Sequence, residues 1–568
     1  MKKILIRLMF LAMLVALLPV HVAQACSAFI VGKDLTADGS TLFGRTEDYP
    51  YAPDGGRHNQ NYVVVPAKTY KDGDKIEDES NGFTYPHLAN EMKYTAVYDS
   101  DRDNGSNGNF AAHGFNELGV AMTATVSATP NDKVLKEDPL VKDGLPEASL
   151  VDLALPRAKT AREVIETVAK VLDEKGSAEG NIIVAADKNE LWYMEILSGH
   201  QYVAIKFPTN KYAVFANTYY LGHVDLNDKE NVIASKDVEE VAKKADNYKT
   251  DKDGNFMIAK SYGPDKYMER NRSRTYAGIK WMDPQAKVNY DDEAFDLLRE
   301  PTDPNKKYTV HDVIAEQRNR FEHLPEYKAD DLVEVGKKID GNVYKYALGN
   351  ENVIDAHVYQ IKPNLPNAFG GVMWLGLAQS RNTPYVPFYG NVEDTYEAFK
   401  NRSTKYDGKS WYWTVWHIDQ MVMKYPEIFG NSIQEKWKAK EAEWDKEQTE
   451  RDAKYANYTD EQAKAAGPEV TKEALERSEK IFKEIKAVEA EMEEKIKKEK
   501  GKDADLVYTG YNKANLLAEA EKGKTENKAS DTKKDSSSQT TWIVIGVLVV
   551  LVAGFFGYKQ FNKKKEEE

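Results

Sequence analysis

Cysteine is almost absent. The chain has 568 residues and one thiol, Cys26. No internal disulfide can form, whatever compartment the chain occupies. A basic surplus is absent too: 78 Lys and Arg stand against 92 Asp and Glu, a net charge of −14. That balance excludes nucleic acid as a partner, because phosphate binding needs a basic surface. There is no HExxH, no CxxC and no phosphate-binding glycine loop, so no metal or cofactor is expected. Histidine is scarce, at ten residues. None has the signature of a thiol–histidine pair, and they read as structural or surface groups. Apolar residues make up 41%, enough for a sizeable core.

A lone cysteine is ordinarily a small buried hydrophobe, but position singles this one out. Residues 1–25 have the three parts of a secretory signal. Lys2, Lys3 and Arg7 form the basic start, Leu8 to Val20 the apolar stretch, and Ala23-Gln24-Ala25 the small-x-small cleavage site. Cleavage there makes Cys26 the first residue, with a thiol and a free α-amine together. The rival is a lipoprotein signal, which wants a leucine three residues before the cysteine, then small residues. Ala23 and Gln24 hold the first two of those places. The two readings exclude each other, since lipidation consumes the thiol.

From Cys26 to about Lys33 the alternation predicts a strand, Thr36-Ala37-Asp38-Gly39 a turn, and Thr41 to Thr46 a second strand. A hairpin centred on that turn sets Arg45 opposite Ile30 and Glu47 opposite Ala28. A slip of two residues sets Arg45 opposite Ala28, within reach of the thiol. Residues 50–110 read as loop-rich. Within them Asp99 to Gly105 resembles half a calcium loop. Its glycine is one place late and Phe110 replaces the bidentate glutamate, so a solvated acidic loop is the better reading. Phe110 to Ala128 reads as strand, turn and strand. Short strands follow at Ile182–Ala185, Leu191–Ile196, Tyr202–Ile205 and Tyr212–Asn217, with helix at Glu163–Glu174. This pattern predicts an α+β fold built of sheet layers. Arg270, Arg272 and Arg274 form a basic cluster that on its own reads as a solvated face. Trp374 to Tyr389 and Trp411 to Trp416 read as core strand and helix.

The C-terminal part changes character. Residues 432–500 are helical, with Phe482, Ile485, Val488, Met492 and Ile496 on one stripe. The stripe is too short for a coiled-coil dimer and is expected to pack on the domain. Residues 522–541 form a flexible polar linker. Residues 542–558 form an uncharged apolar run near the lower limit of ~17–25 residues for a membrane span, and the basic tail 559–568 follows. The expected organisation is a signal at 1–25, a domain at 26–521 (430–521 mostly helical), the linker, a transmembrane helix and a cytoplasmic tail.

A thiol attacks an amide as its thiolate, and free cysteine has a pKa near ~8.5. An α-amine with a pKa of about 8 can take that proton near neutral pH. A neighbouring arginine favours thiolate and neutral amine, an aspartate orients the amine, and amide donors hold the oxyanion. Cys26, Arg45 and Asp48 can supply the first three roles.

The chain resembles the secreted dipeptidase family of the N-terminal-nucleophile (Ntn) hydrolases, relatives of bile-salt and penicillin V acylases. The resemblance rests on Cys26 and the strand after it, Asp38-Gly39-Ser40-Thr41, Arg45-Thr46-Glu47-Asp48, Gly114 to Ala121, Ala186 to Glu195, Ser198-Gly199-His200, Phe215-Ala216-Asn217, Tyr385 to Tyr389 and Ser410 to Trp413. It implies a four-layer αββα fold, Cys26 as nucleophile and its own amine as base. It further implies flanking roles for Arg45 and Asp48, an oxyanion role for Asn217, and Arg274 (or Arg272) in the site. The expected function is a cell-surface cysteine dipeptidase acting on small peptides through an S-acyl intermediate, held outside the cell by its C-terminal helix. The alternatives are an N-acyl amide hydrolase with the same site and a lipidated surface binding protein. Oligomeric state and side-chain preference are not legible.

Overall fold

Period-two alternation builds strands through the first two thirds of the chain, and helical periodicity takes over at its end. The computed structural model describes residues 26–49, 59–99, 110–324 and 346–511, all within one compact unit. The strands are β1 (Ser27–Val31), β2 (Thr41–Asp48), β3 (Gln60–Val65), β4 (Lys68–Thr69), β5 (Lys75–Asp78), β6 (Phe83–Pro86), β7 (Asn90–Glu91), β8 (Tyr94–Asp99) and β9 (Phe110–Phe115). They continue as β10 (Ala121–Ala128), β11 (Gly180–Ala186), β12 (Leu191–Ile196), β13 (Tyr202–Lys206), β14 (Tyr212–Phe215), β15 (Val232–Ala234), β16 (Val353–Ile361), β17 (Val372–Leu377) and β18 (Val386–Tyr389). Among the described residues two large antiparallel sheets result, with β4-β7 and β5-β6 as separate two-stranded pairs. One has six strands in the order β14-β1-β2-β16-β17-β18, the other eight in the order β15-β13-β12-β11-β10-β9-β8-β3.

The sheets touch face to face. Tyr62 on β3 meets Phe388 on β18, Phe115 on β9 meets Tyr359 on β16, and Tyr193 on β12 meets Phe215 on β14, with ring centroids 5.1, 4.8 and 5.2 Å apart. Alternate residues of the eight-stranded sheet, among them Met122, Ile183 and Trp192, point the other way. They pack with Val164, Ile165, Val168 and Leu172 of the Ala161–Lys175 helix. Against the six-stranded sheet lies the Glu269–Met282 helix. Gly278 lets it approach: a Cβ there would sit 2.4 Å from Val214 Cγ1 on β14.

The C-terminal helices Trp411–Lys424, Ser432–Tyr455 and Gly467–Lys500 pack on this body, as the stripe predicts. Ile481, Ile485, Val488, Met492 and Ile496 are buried in the shared core. Glu441 clamps Arg318 bidentately, at 2.6 and 2.9 Å, both side chains buried.

Two expectations are corrected. Residues 59–99 hold six short strands rather than mainly loop. Their glycines serve tight turns, Gly73 and Gly82 taking φ of 92° and 85°. Arg272 and Arg274 are not a solvated face but are buried. Among the described residues no helix is long and apolar enough to cross a membrane. The signal at 1–25, the loop at 100–105 and the span at 542–558 lie outside the described residues.

Candidate active site

Cys26 stands at the head of β1, fully buried. β1 lies between β2 and β14, pairing Ala28 with Arg45 on one side and with Phe215 on the other. Continued by two residues, these registers set Cys26 between Glu47 and Asn217. The hairpin is thus slipped by two residues from one centred on Thr36 to Gly39. A 3-10 turn at Lys33–Leu35 uses up chain before the bend, and Thr36 bridges to Tyr308.

The slip delivers Arg45 to the thiol. Its Nη1 donates to Cys26 Sγ at 3.5 Å. The rest of the guanidinium is held by Thr123 Oγ1 (3.0 Å from Nε), Glu47 Oε2 (3.0 Å) and the Ala124 carbonyl (2.9 Å). Burial pushes the Cys26 thiol up to about 12 despite Arg45, with Glu47, Asp48 and Glu147 adding to the rise. Burial also lifts Glu47 to about 7, against the pull of Arg45. In the full-length chain the nitrogen of Cys26 is a peptide amide, so this is the thiol before any α-amine exists.

Asp48 is buried, and Asn350 Nδ2 donates to its Oδ2 at 2.6 Å. Arg274 reaches the site from the Glu269–Met282 helix. It donates to the Cys26 carbonyl, to Ser27 Oγ at 3.1 Å, and to Asn217 Oδ1 and Asn271 Oδ1, both at 2.8 Å. Arg272 instead donates to the Tyr290 carbonyl at 2.8 Å, so of the two it is Arg274 that contacts Cys26. With its oxygen held by Arg274, Asn217 turns its amide nitrogen the other way. That Nδ2 is buried and has no hydrogen-bond partner. The loop carrying Asn217 is ordered by buried Glu195, which accepts from the backbone N–H groups of Tyr220 (2.6 Å) and Leu221 (3.1 Å).

All five residues named from the sequence, Cys26, Arg45, Asp48, Asn217 and Arg274, therefore lie in one cluster, in which all but the half-buried Asn217 are buried. Sequence reasoning missed Asn350, which carries no local signal. His113 and His357, read as structural or surface groups, are buried beside Arg45. Thr123 Oγ1, the partner of Arg45, is 2.9 Å from His357 Nε2. His357 Nδ1 is 2.9 Å from Asp355 Oδ2, and His113 Nε2 is 3.2 Å from the same oxygen. The Asp355-x-His357 spacing on a strand, which places both side chains on one face, was the available clue.

His113, Asp355 and His357 also have metal-ligating chemistry, but their geometry does not fit an ion. The two imidazoles stack, centroids 3.6 Å apart and planes 21° from parallel. A ligating nitrogen aims its lone pair within its own ring plane at a metal ~2 Å away. Two stacked planes do not meet at such a point.

Residues 25–478 match the model of peptidase family C69. The chain is 48% identical over 486 residues to "Probable dipeptidase B" of Streptococcus pyogenes serotype M1, covering 84% of this chain and 95% of that one. It is 33% identical over 392 residues to a "Probable dipeptidase" of Latilactobacillus sakei, covering 69% and 79%. A "Probable dipeptidase" of Salmonella dublin is 28% identical over 386 residues, covering 67% and 84%. With a family match spanning most of its length, this chain belongs to peptidase family C69.

Proposed function

We propose that the chain is a cysteine dipeptidase whose nucleophile and base are both supplied by Cys26 after cleavage behind Ala25. The observation that carries this reading is the seat of the only thiol, with Arg45 Nη1 at 3.5 Å from Sγ and Asn217 on the neighbouring strand end. The two facing sheets with helices packed on them suit the four-layer αββα arrangement of Ntn hydrolases.

Cleavage turns the Cys26 amide into an amine that shares its residue with the thiol. A proton passes from Sγ to that amine. Arg45 stabilises the thiolate against the burial that otherwise holds the proton on sulfur. Asp48, fixed by Asn350, orients the resulting ammonium. Sγ attacks the dipeptide carbonyl, and the charge developing on its oxygen takes the hydrogen bond that Asn217 Nδ2 has free. The ammonium returns its proton to the leaving amine as the C–N bond breaks. The acyl group is left on sulfur, and water, deprotonated by the same amine, releases it. Arg274 holds the Cys26 carbonyl and the Asn217 amide in place.

The printed names of the relatives support dipeptides as substrates. The sequence at 1–25 and 542–568 supports export and anchoring outside the cell, with the enzyme domain at 26–521. The test is N-terminal sequencing of the mature protein, followed by a panel of dipeptides and N-acyl amides. A start at unmodified Cys26 with dipeptide hydrolysis lost in Cys26→Ser is expected. A lipidated Cys26, or N-acyl amides as the sole substrates, would overturn the reading.

A further inference from the structure

The seam between the two sheets beneath the thiol is polar, charged and fully closed to solvent. Arg45 and Glu47 come from β2, Asp355, His357 and Tyr359 from β16, His113 from β9 and Thr123 from β10, and all are buried. Isolated polar groups at such a position are costly. Here they join into a chain whose direction can be deduced atom by atom.

Both imidazoles are neutral. Burial pushes His357 down to about 3, His113 across the 3.6 Å stack adding to the fall, and burial lowers His113 as well. Burial raises Asp355, and the neighbouring histidines lower it more, by their charge when protonated and by hydrogen bonding from His357 Nδ1 when neutral. An ionised Asp355 can only accept, so His357 carries its hydrogen on Nδ1 and donates it to Oδ2. His357 Nε2 is then an acceptor, and the Thr123 hydroxyl donates to it. The oxygen of Thr123 is left to accept from Arg45 Nε–H, 3.0 Å away. His113 stands beside this chain: its Nδ1 is 2.8 Å from the Tyr359 hydroxyl, and its Nε2 lies 3.2 Å from Asp355 Oδ2 without a hydrogen bond to it. The three links from Arg45 through Thr123 and His357 all run toward Asp355.

We propose that Thr123, His357 and Asp355 are positioning residues for the nucleophile, holding the Arg45 guanidinium against Cys26 Sγ through a one-way hydrogen-bond relay from sheet to sheet. The proposal rests on the reading of Cys26 as nucleophile. It explains why a neutral histidine pair is buried beside an arginine: a cationic His357 would present a second donor to Thr123 and compete with Arg45 for its oxygen. None of the three residues needs to touch substrate.

The relay can be read without substrate. Cys26 is the only thiol, so iodoacetamide alkylation of the mature protein as a function of pH reports its pKa alone. Thr123→Val keeps the side-chain shape and removes the hydroxyl. Its thiol pKa should rise by about one unit or more, with ~10-fold less thiolate near neutral pH, and kcat should fall with KM little changed. Thr123→Ser should restore both. Asp355→Asn separates relay from charge. An asparagine amide can donate to His357 Nδ1, moving the ring hydrogen to Nε2 and reversing the relay, so the thiol pKa should rise. Loss of a nearby negative charge acting alone would leave that pKa unchanged or lower it. An unchanged alkylation profile in Thr123→Val, a serine variant as damaged as valine, or a lower thiol pKa in Asp355→Asn would each overturn the relay. Failure of the underlying reading looks different: the wild-type mature protein would then lack a low-pKa thiol or dipeptide hydrolysis altogether.

Discussion

Replacing Asn217 with alanine tests the oxyanion assignment more sharply than removing the nucleophile does. The amide oxygen of Asn217 accepts from Arg274 Nη2 at 2.8 Å, which fixes the orientation of the group. Its Nδ2 is buried and unpartnered, so it is a donor already desolvated and free of any competing bond to break. Removing one such preorganised donor typically lowers kcat by ~10²–10³, about 3–4 kcal/mol of transition-state stabilisation. The surroundings should survive. Arg274 keeps Asn271 Oδ1 at 2.8 Å and Ser27 Oγ at 3.1 Å. The Asn217 carbonyl keeps the bond donated by Asn271 Nδ2 at 2.6 Å. Steady-state kinetics on a dipeptide should therefore show the loss in kcat, with a small change in KM. Iodoacetamide should alkylate Cys26 at the wild-type rate, because the donor acts on the oxyanion and not on the thiol. A kcat within about threefold of wild type would refute the role, as would an alkylation rate that falls in step with kcat.

Blocking cleavage with Ala25→Pro should leave Cys26 as an amide-linked residue whose thiol titrates near the value of about 12 set by burial; its alkylation below pH 9 and its dipeptidase activity should both be negligible, and activity in a protein of uncleaved mass would contradict the amine as base. Glu441→Ala leaves Arg318 buried without its bidentate partner and the Tyr385 N–H without its 2.9 Å acceptor. The cost should be about 3–5 kcal/mol in urea unfolding, and a loss under 1 kcal/mol would show that the C-terminal helices are not tied to the body here. Burial pushes Glu316 up to about 8 from an ordinary value of 4.5. A raised folded-state pKa means that the native state keeps a proton the unfolded state releases. Its contribution is complete below pH 4.5 and is lost as pH rises through 8. Glu316→Gln should flatten that fall in urea midpoint between pH 5 and pH 8, and an unaltered slope would count against the shift.

Much of the site was legible because its signals are local. The small-x-small site before Cys26, the turn after β1, and Arg45 and Asp48 three residues apart can be read without knowing any distant pairing. The helical stripe from Ile485 to Ile496 was equally plain, because helical period depends on neighbours in sequence. The register of the first hairpin was harder. The 3-10 turn at Lys33–Leu35 shifts the pairing by two residues, and that shift decides whether Arg45 meets the thiol. The short strands of residues 59–99 were hidden by the Asn, Asp and Gly of their turns.

Sequence alone singled out the one thiol as the candidate nucleophile and marked most strands and helices outside residues 59–99, since each depends on residue type and short-range spacing. Tertiary structure decided what surrounds the sulfur. β14 brings Asn217 to one side of Cys26, the Glu269–Met282 helix brings Arg274, and β16 sets Asp355 and His357 under Arg45. These partners are remote along the chain and meet only because sheet pairing and sheet-on-sheet packing bury them together. Burial then gives them their chemistry: the same thiol, carboxylates and imidazoles in water would titrate at their ordinary values.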